Sequence, residues 1–410
     1  MKSFIIKYSI PLILIPTVWS SYFPGKIVAV TLICLTPLFV LALFQKYHTQ
    51  NIDGKKILNF FLLYNALMFI RGVINADTPT DWISLFSGTI FFFFLFPFYI
   101  YKIINPANIA KMLRSYILFG TIAAIIIAYN ETIAVKIMPY ALTIRMISGL
   151  YLLILFVPYI KIKWKAITII VLSIMSFFLN IEERFNLLNI MVAFAILFLY
   201  YFKSYNRFKM LKFCSVLLFA APIVFFVLGV TGIFNVFKTG EKNNTYIVVH
   251  SPKEENLLAD SRTGIYMDVL YGLRDKNAFF WGLGATGKVQ TSLIDFDIYY
   301  DLWRNGRPSS ESGMLNYVQW GGFLGGLSYF MFFMVAAYYA IRKSNNWFIR
   351  TLGLWISYKA MFSFIQDYQD TQIFYFLLIL NIGICLNKDF RKMNDTEMKS
   401  YLNQILTFKI

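Results

Sequence analysis

The sequence predicts an all-α, polytopic membrane protein, and three observations carry that prediction. Hydrophobic residues fill 58% of the 410 positions and charged residues only 14%, a composition outside the range of soluble globular domains. Apolar runs of about 16 to 25 residues, the length a bilayer asks of a helix, recur along the chain. Lysine and arginine gather in the short connections between those runs, which marks orientation rather than nucleic-acid binding even at a formal net charge of +17.

Taken in order, the runs lie near 4–22, 27–44, 57–75, 83–101, 115–130, 141–160, 166–181, 185–202, 213–237, 313–341, 351–366 and 371–387. The first follows Lys2 and precedes no small-residue cleavage site, so it reads as a span rather than a removed leader. The expectation is about twelve helices. Connections after the even-numbered runs are basic: Lys46, Lys55 and Lys56; Lys102, Lys111 and Arg114; Lys161, Lys163 and Lys165; Lys203, Arg207, Lys209 and Lys212; Arg342, Lys343 and Arg350. The opposite short connections carry Lys26, Lys136, Arg145 and Arg184. That asymmetry puts both termini in the cytoplasm. Four regions follow: spans one to nine over 1–237, a large extracytoplasmic loop with short helices over 238–312, spans ten to twelve over 313–387, and a cytoplasmic tail over 388–410. In the tail, Met398, Tyr401, Leu402, Ile405 and Leu406 form the apolar side of an amphipathic helix expected to lie on the membrane surface.

Several patterns are weaker than their letters. Gly282-Leu-Gly-Ala-Thr-Gly287 has the spacing of a dinucleotide-binding turn, but that chemistry needs a preceding strand and a βαβ unit that nothing here supplies. Asp295-Phe-Asp297 has the spacing of a divalent-ion pair and reads better as a solvated acidic turn. His48 and His250 are isolated, and Cys34, Cys214 and Cys385 each sit in an apolar run, so no metal site and no disulfide framework is expected.

The informative residues are cations at the outer face. Arg184 follows Glu182 and Glu183 in a short outer turn, Arg145 and Arg71 lie near the outer ends of the sixth and third runs, and Arg304 and Arg307 belong to the large loop. Arg262 opens an expected helix in which Ile265, Val269 and Leu273 repeat on one side. A guanidinium at a helix start, where backbone N–H groups also point outward, suits an anion. Glu311 stands at the head of the tenth run beside Ser309 and Ser310, and Gly321, Gly322, Gly325 and Gly326 in that run read as a close helix-packing face.

The order of these pieces carries a resemblance. Glu182-Glu-Arg-Phe185, then Ser261-Arg-Thr-Gly-Ile-Tyr266 and Trp281-Gly-Leu-Gly284 in one long loop, then Glu311-Ser-Gly-Met-Leu-Asn-Tyr-Val-Gln-Trp-Gly-Gly-Phe-Leu-Gly325 resembles the O-antigen polymerase and ligase superfamily, most closely over 180–340. The resemblance implies a fold like the GT-C-type glycosyltransferases in a bacterial inner membrane. It implies polymerisation of undecaprenyl-pyrophosphate-linked oligosaccharide repeat units for lipopolysaccharide or a related surface polysaccharide. That carrier-linked oligosaccharide would be both donor and acceptor, with membrane lipid around it, a chain-length regulator as protein partner, and neither cofactor nor metal. Arg184 and Arg262 would then stabilise the departing pyrophosphate and Glu311 would take the acceptor proton, with Arg145, Arg304, Arg307 and Arg71 binding pyrophosphate or glycan. Ligases of the superfamily carry a histidine in the outer loop where this chain has Glu311, which favours the polymerase branch. Transfer to a lipid A core and export of lipid-linked oligosaccharide are the alternatives.

Overall fold

A computed structural model of the chain describes residues 2–22, 27–45, 51–87, 89–119, 154–161, 184–201, 206–230, 245–247, 254–256, 261–290, 306–310, 312–366 and 372–406. Helices dominate: α1 (Lys2–Tyr22), α2 (Ile27–Phe44), α3 (Lys55–Ile74), α4 (Pro79–Ser87), α5 (Thr89–Ile103), α6 (Arg184–Tyr201), α7 (Arg207–Val230), α8 (Ser261–Asp275), α9 (Gly313–Arg342), α10 (Trp347–Phe362), α11 (Gln372–Leu386), α12 (Lys388–Lys392) and α13 (Asp395–Leu406). Residues 106–119 are helical as well. Among the described residues three stretches, Lys55–Ile74, Pro79–Ile103 and Gly313–Arg342, are long and apolar enough to cross a membrane. Large apolar side chains stand open on the outside of the bundle, among them Phe44 at 83%, Ile33 at 73% and Phe213 at 68% exposure, more than a water-soluble surface tolerates in number and size.

The described residues are helical as the all-α expectation has it, with one short addition in the large loop. Thr245–Ile247 and Glu254–Asn256 pair as an antiparallel ribbon, β1 and β2, with Tyr246 opposite Glu255. The β-branched and aromatic run Thr245-Tyr-Ile247 has the side chains that favour a pleated strand. A second departure lies at 154–160, expected to end a span. The chain there makes tight turns in which Val157 N–H donates to Ile154 and Tyr159 N–H to Phe156 at 3.2 and 2.9 Å, and Pro158 has no N–H with which to continue a helix.

At the centre, α9 packs against α3, α10 and α11, while α5 joins α3 to α11 and α6 and α7 cover α10. Phe61, Phe93, Tyr317 and Tyr375 fill the middle, with Phe93 in ring contact with Tyr317 at 4.3 Å and Tyr375 at 4.6 Å. Thr78 and Asp81 exchange side-chain and backbone bonds at the start of α4, a capping box that satisfies orphan helix donors. The tail helix α13 forms where expected, but its apolar face lies in protein rather than lipid. Met398, Leu402 and Ile405 are buried, and Tyr401 donates to the carbonyl of Pro106 at 2.8 Å. Asp53 grips Lys388 and Arg391 beside it and closes that end.

Candidate functional site

The site is built on a break in α9. At Gly322 the backbone takes φ 64° and ψ −161°, a region essentially reserved for glycine, and the two halves, 313–321 and 323–342, fold back on each other. In a continuous helix the amides of Phe323 and Leu324 would donate to Gln319 and Trp320. They donate instead to the carbonyls of Phe279 and Phe280 at 2.8 and 3.3 Å, while Gln319 and Trp320 accept from Leu283 and Gly284 at 2.9 and 2.8 Å. The carbonyl of Gly321 accepts from the Tyr64 hydroxyl at 2.5 Å. The Trp281–Gly287 turn thus replaces the helix's own partners, so breaking the helix leaves these buried backbone groups satisfied. Gly282, at φ 67°, lies so close to the backbone of Trp320–Gly322 that no Cβ fits. The glycine spacing therefore serves this docking. Gly321 and Gly325 also meet α3 at Tyr64, as the packing expectation held, whereas Gly322 is the break itself.

Arg71 clamps the same turn from α3. Its Nη1 and Nη2 donate to the carbonyls of Trp281 and Gly282 at 2.5 and 2.9 Å. Thr286 reaches the carbonyl of Gly72 at 3.3 Å, and Lys288 pairs with Asp81 at 2.7 Å. Beyond the turn, Val289 and Arg307 form an antiparallel bridge with N–H···O distances of 3.0 and 2.7 Å, and the Gln319 side chain donates to Gly287 and Arg307 at 2.9 and 3.1 Å.

The short half of α9 then carries a buried polar corner. Ser310, Ser312, Asn316 and Gln319 are all at most 4% exposed. Asn316 accepts from the Ser310 hydroxyl at 2.9 Å, while Ser312 caps the half-helix through Leu315 N–H at 3.3 Å and donates to the carbonyl of Ser363 at 3.0 Å. Helix α8 lies against this half-helix. Ile265, Val269 and Leu273 bury together with Leu315, the face anticipated from their spacing. Tyr266, on the first turns of α8, donates to the carbonyl of Phe364 at 2.6 Å and lies 3.3 Å from the Ser312 hydroxyl.

The expected site residues fall in three groups. Arg184 and Arg262 are placed by their helices: Arg184 is the first residue of α6 and Arg262 the second of α8, one helical turn before Tyr266. Arg71 and Arg307 are described in full, one clamping the glycine turn and the other half-buried at the base bridge. Glu311, Arg145 and Arg304 lie outside the described residues, as do Asp295, Asp297, His48 and His250. Of α8 it is Tyr266 that meets the corner, against Ser312 and Phe364.

Lys359 is the residue the sequence reading passed over. It is 1% exposed within α10, and its Nζ donates to Asn189 Oδ1 at 2.7 Å, an oxygen that also accepts from the Tyr358 hydroxyl at 2.9 Å. Trp355 and Phe374 lie 4.8 Å from the nitrogen. A lysine amine inside so apolar a helix is costly to bury and points to function. Its signal was a single lysine in the run 351–366, one turn before Ser363. Two apolar crevices among the described residues lie elsewhere, one lined by Ile52, Ile100 and Leu386 and one by Phe156, Leu352 and Tyr401.

No protein-family model matches the chain, and no curated protein matches it.

Proposed function

We propose that the chain is a membrane glycosyltransferase that polymerises undecaprenyl-pyrophosphate-linked oligosaccharide repeat units on the outer face of a bacterial cytoplasmic membrane. About twelve spans would carry it in a GT-C-like arrangement with both termini inside. The observation that supports the reading most is the corner itself. Tyr266 of α8, one turn after Arg262 in sequence, and the buried Ser310 and Ser312, which flank Glu311 in sequence, meet one half-helix that is broken from its span at Gly322.

In this reading the acceptor hydroxyl of one lipid-linked unit attacks the anomeric carbon of another chain. The new glycosidic bond forms as the bond to the carrier's pyrophosphate breaks, and the hydroxyl proton passes to Glu311 acting as general base. The bonding pair leaves with the lipid pyrophosphate, whose growing charge Arg184 and Arg262 stabilise more in the transition state than in the ground state. Lys359, one turn before Ser363 in α10, is a further basic residue that this reading leaves to be tested.

The test is incubation of purified protein with a lipid-linked repeat unit. A ladder of products supports polymerisation, transfer confined to a lipid A core makes the protein a ligase, and no covalent product favours export.

A further inference from the structure

Three consecutive aromatic side chains, Phe279, Phe280 and Trp281, stand 46%, 61% and 61% exposed at the tip of the glycine turn. The tip is held rigidly. Helix α8 ends in a Schellman motif, with Ala278 N–H donating to Leu273 at 2.8 Å, Asn277 N–H to Arg274 at 3.0 Å, and Asn277 at φ 51°. Next come the two carbonyls bonded to Phe323 and Leu324, and then the Arg71 clamp on Trp281. A chain this firmly fixed presents its aromatic side chains outward by construction.

What they continue is the outside of a candidate membrane span. Phe323, bonded directly to Phe279, is 52% exposed, and Leu327 one turn further along α9 is 41% exposed. On the other side, Arg274 and Lys276 are exposed just before the aromatic residues, with Asp275 between them 3.3 Å from Arg274 and the Lys276 Nζ donating to the Lys288 carbonyl at 2.9 Å, and Tyr271 of α8 is 46% exposed. An apolar ridge running off a span, then aromatic residues, then cations is the order of chemistry met on passing from acyl chains through the interface to phosphate headgroups.

We propose that the Phe279–Trp281 tip is embedded in the interface of the outer leaflet, where the acyl chains meet the headgroups, with Arg274 and Lys276 at the phosphates. The inference rests on the membrane reading alone and is independent of the chemistry. Because the tip and the corner hang from the same break at Gly322, the bilayer would set the height of the helix bearing Arg262 above the lipid from which a lipid-linked ligand must arrive.

The test is a nitroxide label at Phe280→Cys, compared with Leu327→Cys and Lys276→Cys, in a variant whose three native cysteines are alanine, reconstituted at one copy per phosphatidylcholine nanodisc. Labels at Phe280 and Leu327 should collide more readily with oxygen than with a water-soluble nickel chelate, and the label at Lys276 should do the reverse. If Phe280 behaves like Lys276 while Leu327 stays in lipid, the embedded tip is wrong and the membrane reading stands. Water access at both Phe280 and Leu327 removes the membrane reading and the proposal together. A label at Phe280 shielded from both reagents means that protein covers the tip, which also overturns it. A second measurement keeps the native cysteines: acyl chains brominated near the headgroup should quench wild-type tryptophan emission more than that of Trp281→Phe, and equal quenching contradicts the proposal.

Discussion

Tyr317 and Tyr329 belong to opposite halves of α9 and stack with ring centroids 4.3 Å apart. In a straight helix, at about 1.5 Å per residue, they would stand roughly 18 Å apart. Their contact shows that one apolar run is two elements folded together, with the shorter half lying beside the longer instead of extending it.

Gly322→Ala is therefore expected to do far more damage than its size suggests. The added Cβ would be strained at φ 64° and would meet the Phe280 oxygen at 2.5 Å, and such backbone strain alone costs roughly 1–3 kcal/mol. Gly326→Ala should be milder, because its Cβ meets Val318 Cγ2 at 2.8 Å and Met314 Cε at 3.4 Å, both ends of movable side chains. Thermal melting in detergent checks the pair, and a Gly322→Ala protein as stable as wild type would refute the account of the break.

Arg71→Ala should lower stability by roughly 2 kcal/mol through loss of two charge-assisted bonds, and Arg71→Lys should recover part of it because a single ammonium lacks the fork. Unchanged melting together with lost transfer would return Arg71 to the ligand-binding set expected from the sequence.

Asn189→Leu removes an acceptor shared by Tyr358 and Lys359 and should destabilise by about 1–3 kcal/mol. Lys359→Met should cost less, since an apolar side chain of similar volume replaces a buried polar group without leaving a charge unpaired. If Lys359 serves the corner, Lys359→Met will nevertheless lose transfer activity; a fully active variant would leave it a packing residue.

Arg184→Ala and Arg262→Ala should each slow transfer by roughly a hundredfold, the usual cost of one preorganised charge-stabilising donor. Glu311→Gln should abolish polymer while keeping membrane abundance and donor binding. Loss of binding as well would make Glu311 a positioning residue, and full activity would remove it from the mechanism and turn attention to Asp260, Asp268, Asp295 and Asp297.

Cysteine tags at Lys163 and Asn345 should be protected from an impermeant reagent in spheroplasts, while a tag at Asn243 should react. Labelling at Lys163 would overturn the orientation drawn from the basic connections.

Periodicity made α8 readable, because Ile265, Val269 and Leu273 recur at helical spacing and little else competes with that pattern. The same reasoning could not separate a packing glycine from a breaking one. What decides the matter at Gly322 is a pair of carbonyls, Phe279 and Phe280, supplied by a distant segment. Arg71 was visible as an outer cation, yet its partners are main-chain oxygens, which no side-chain pattern announces. Lys359 was lost in the average of an apolar window, and Asn189, which gives it meaning, comes from another helix. The tail helix shows the converse limit: an apolar face of Met398, Leu402 and Ile405 suits lipid and protein equally, and only the bundle beside it settles which it meets.

The bridge between Val289 and Arg307 has a mechanical corollary. Both ends of the stretch 290–306 are tied to each other, and Gln319 fastens Gly287 and Arg307 to α9 before the chain reaches Ser310. A change of length inside that stretch therefore leaves its two tied ends, and their attachment to α9, with the same separation to span.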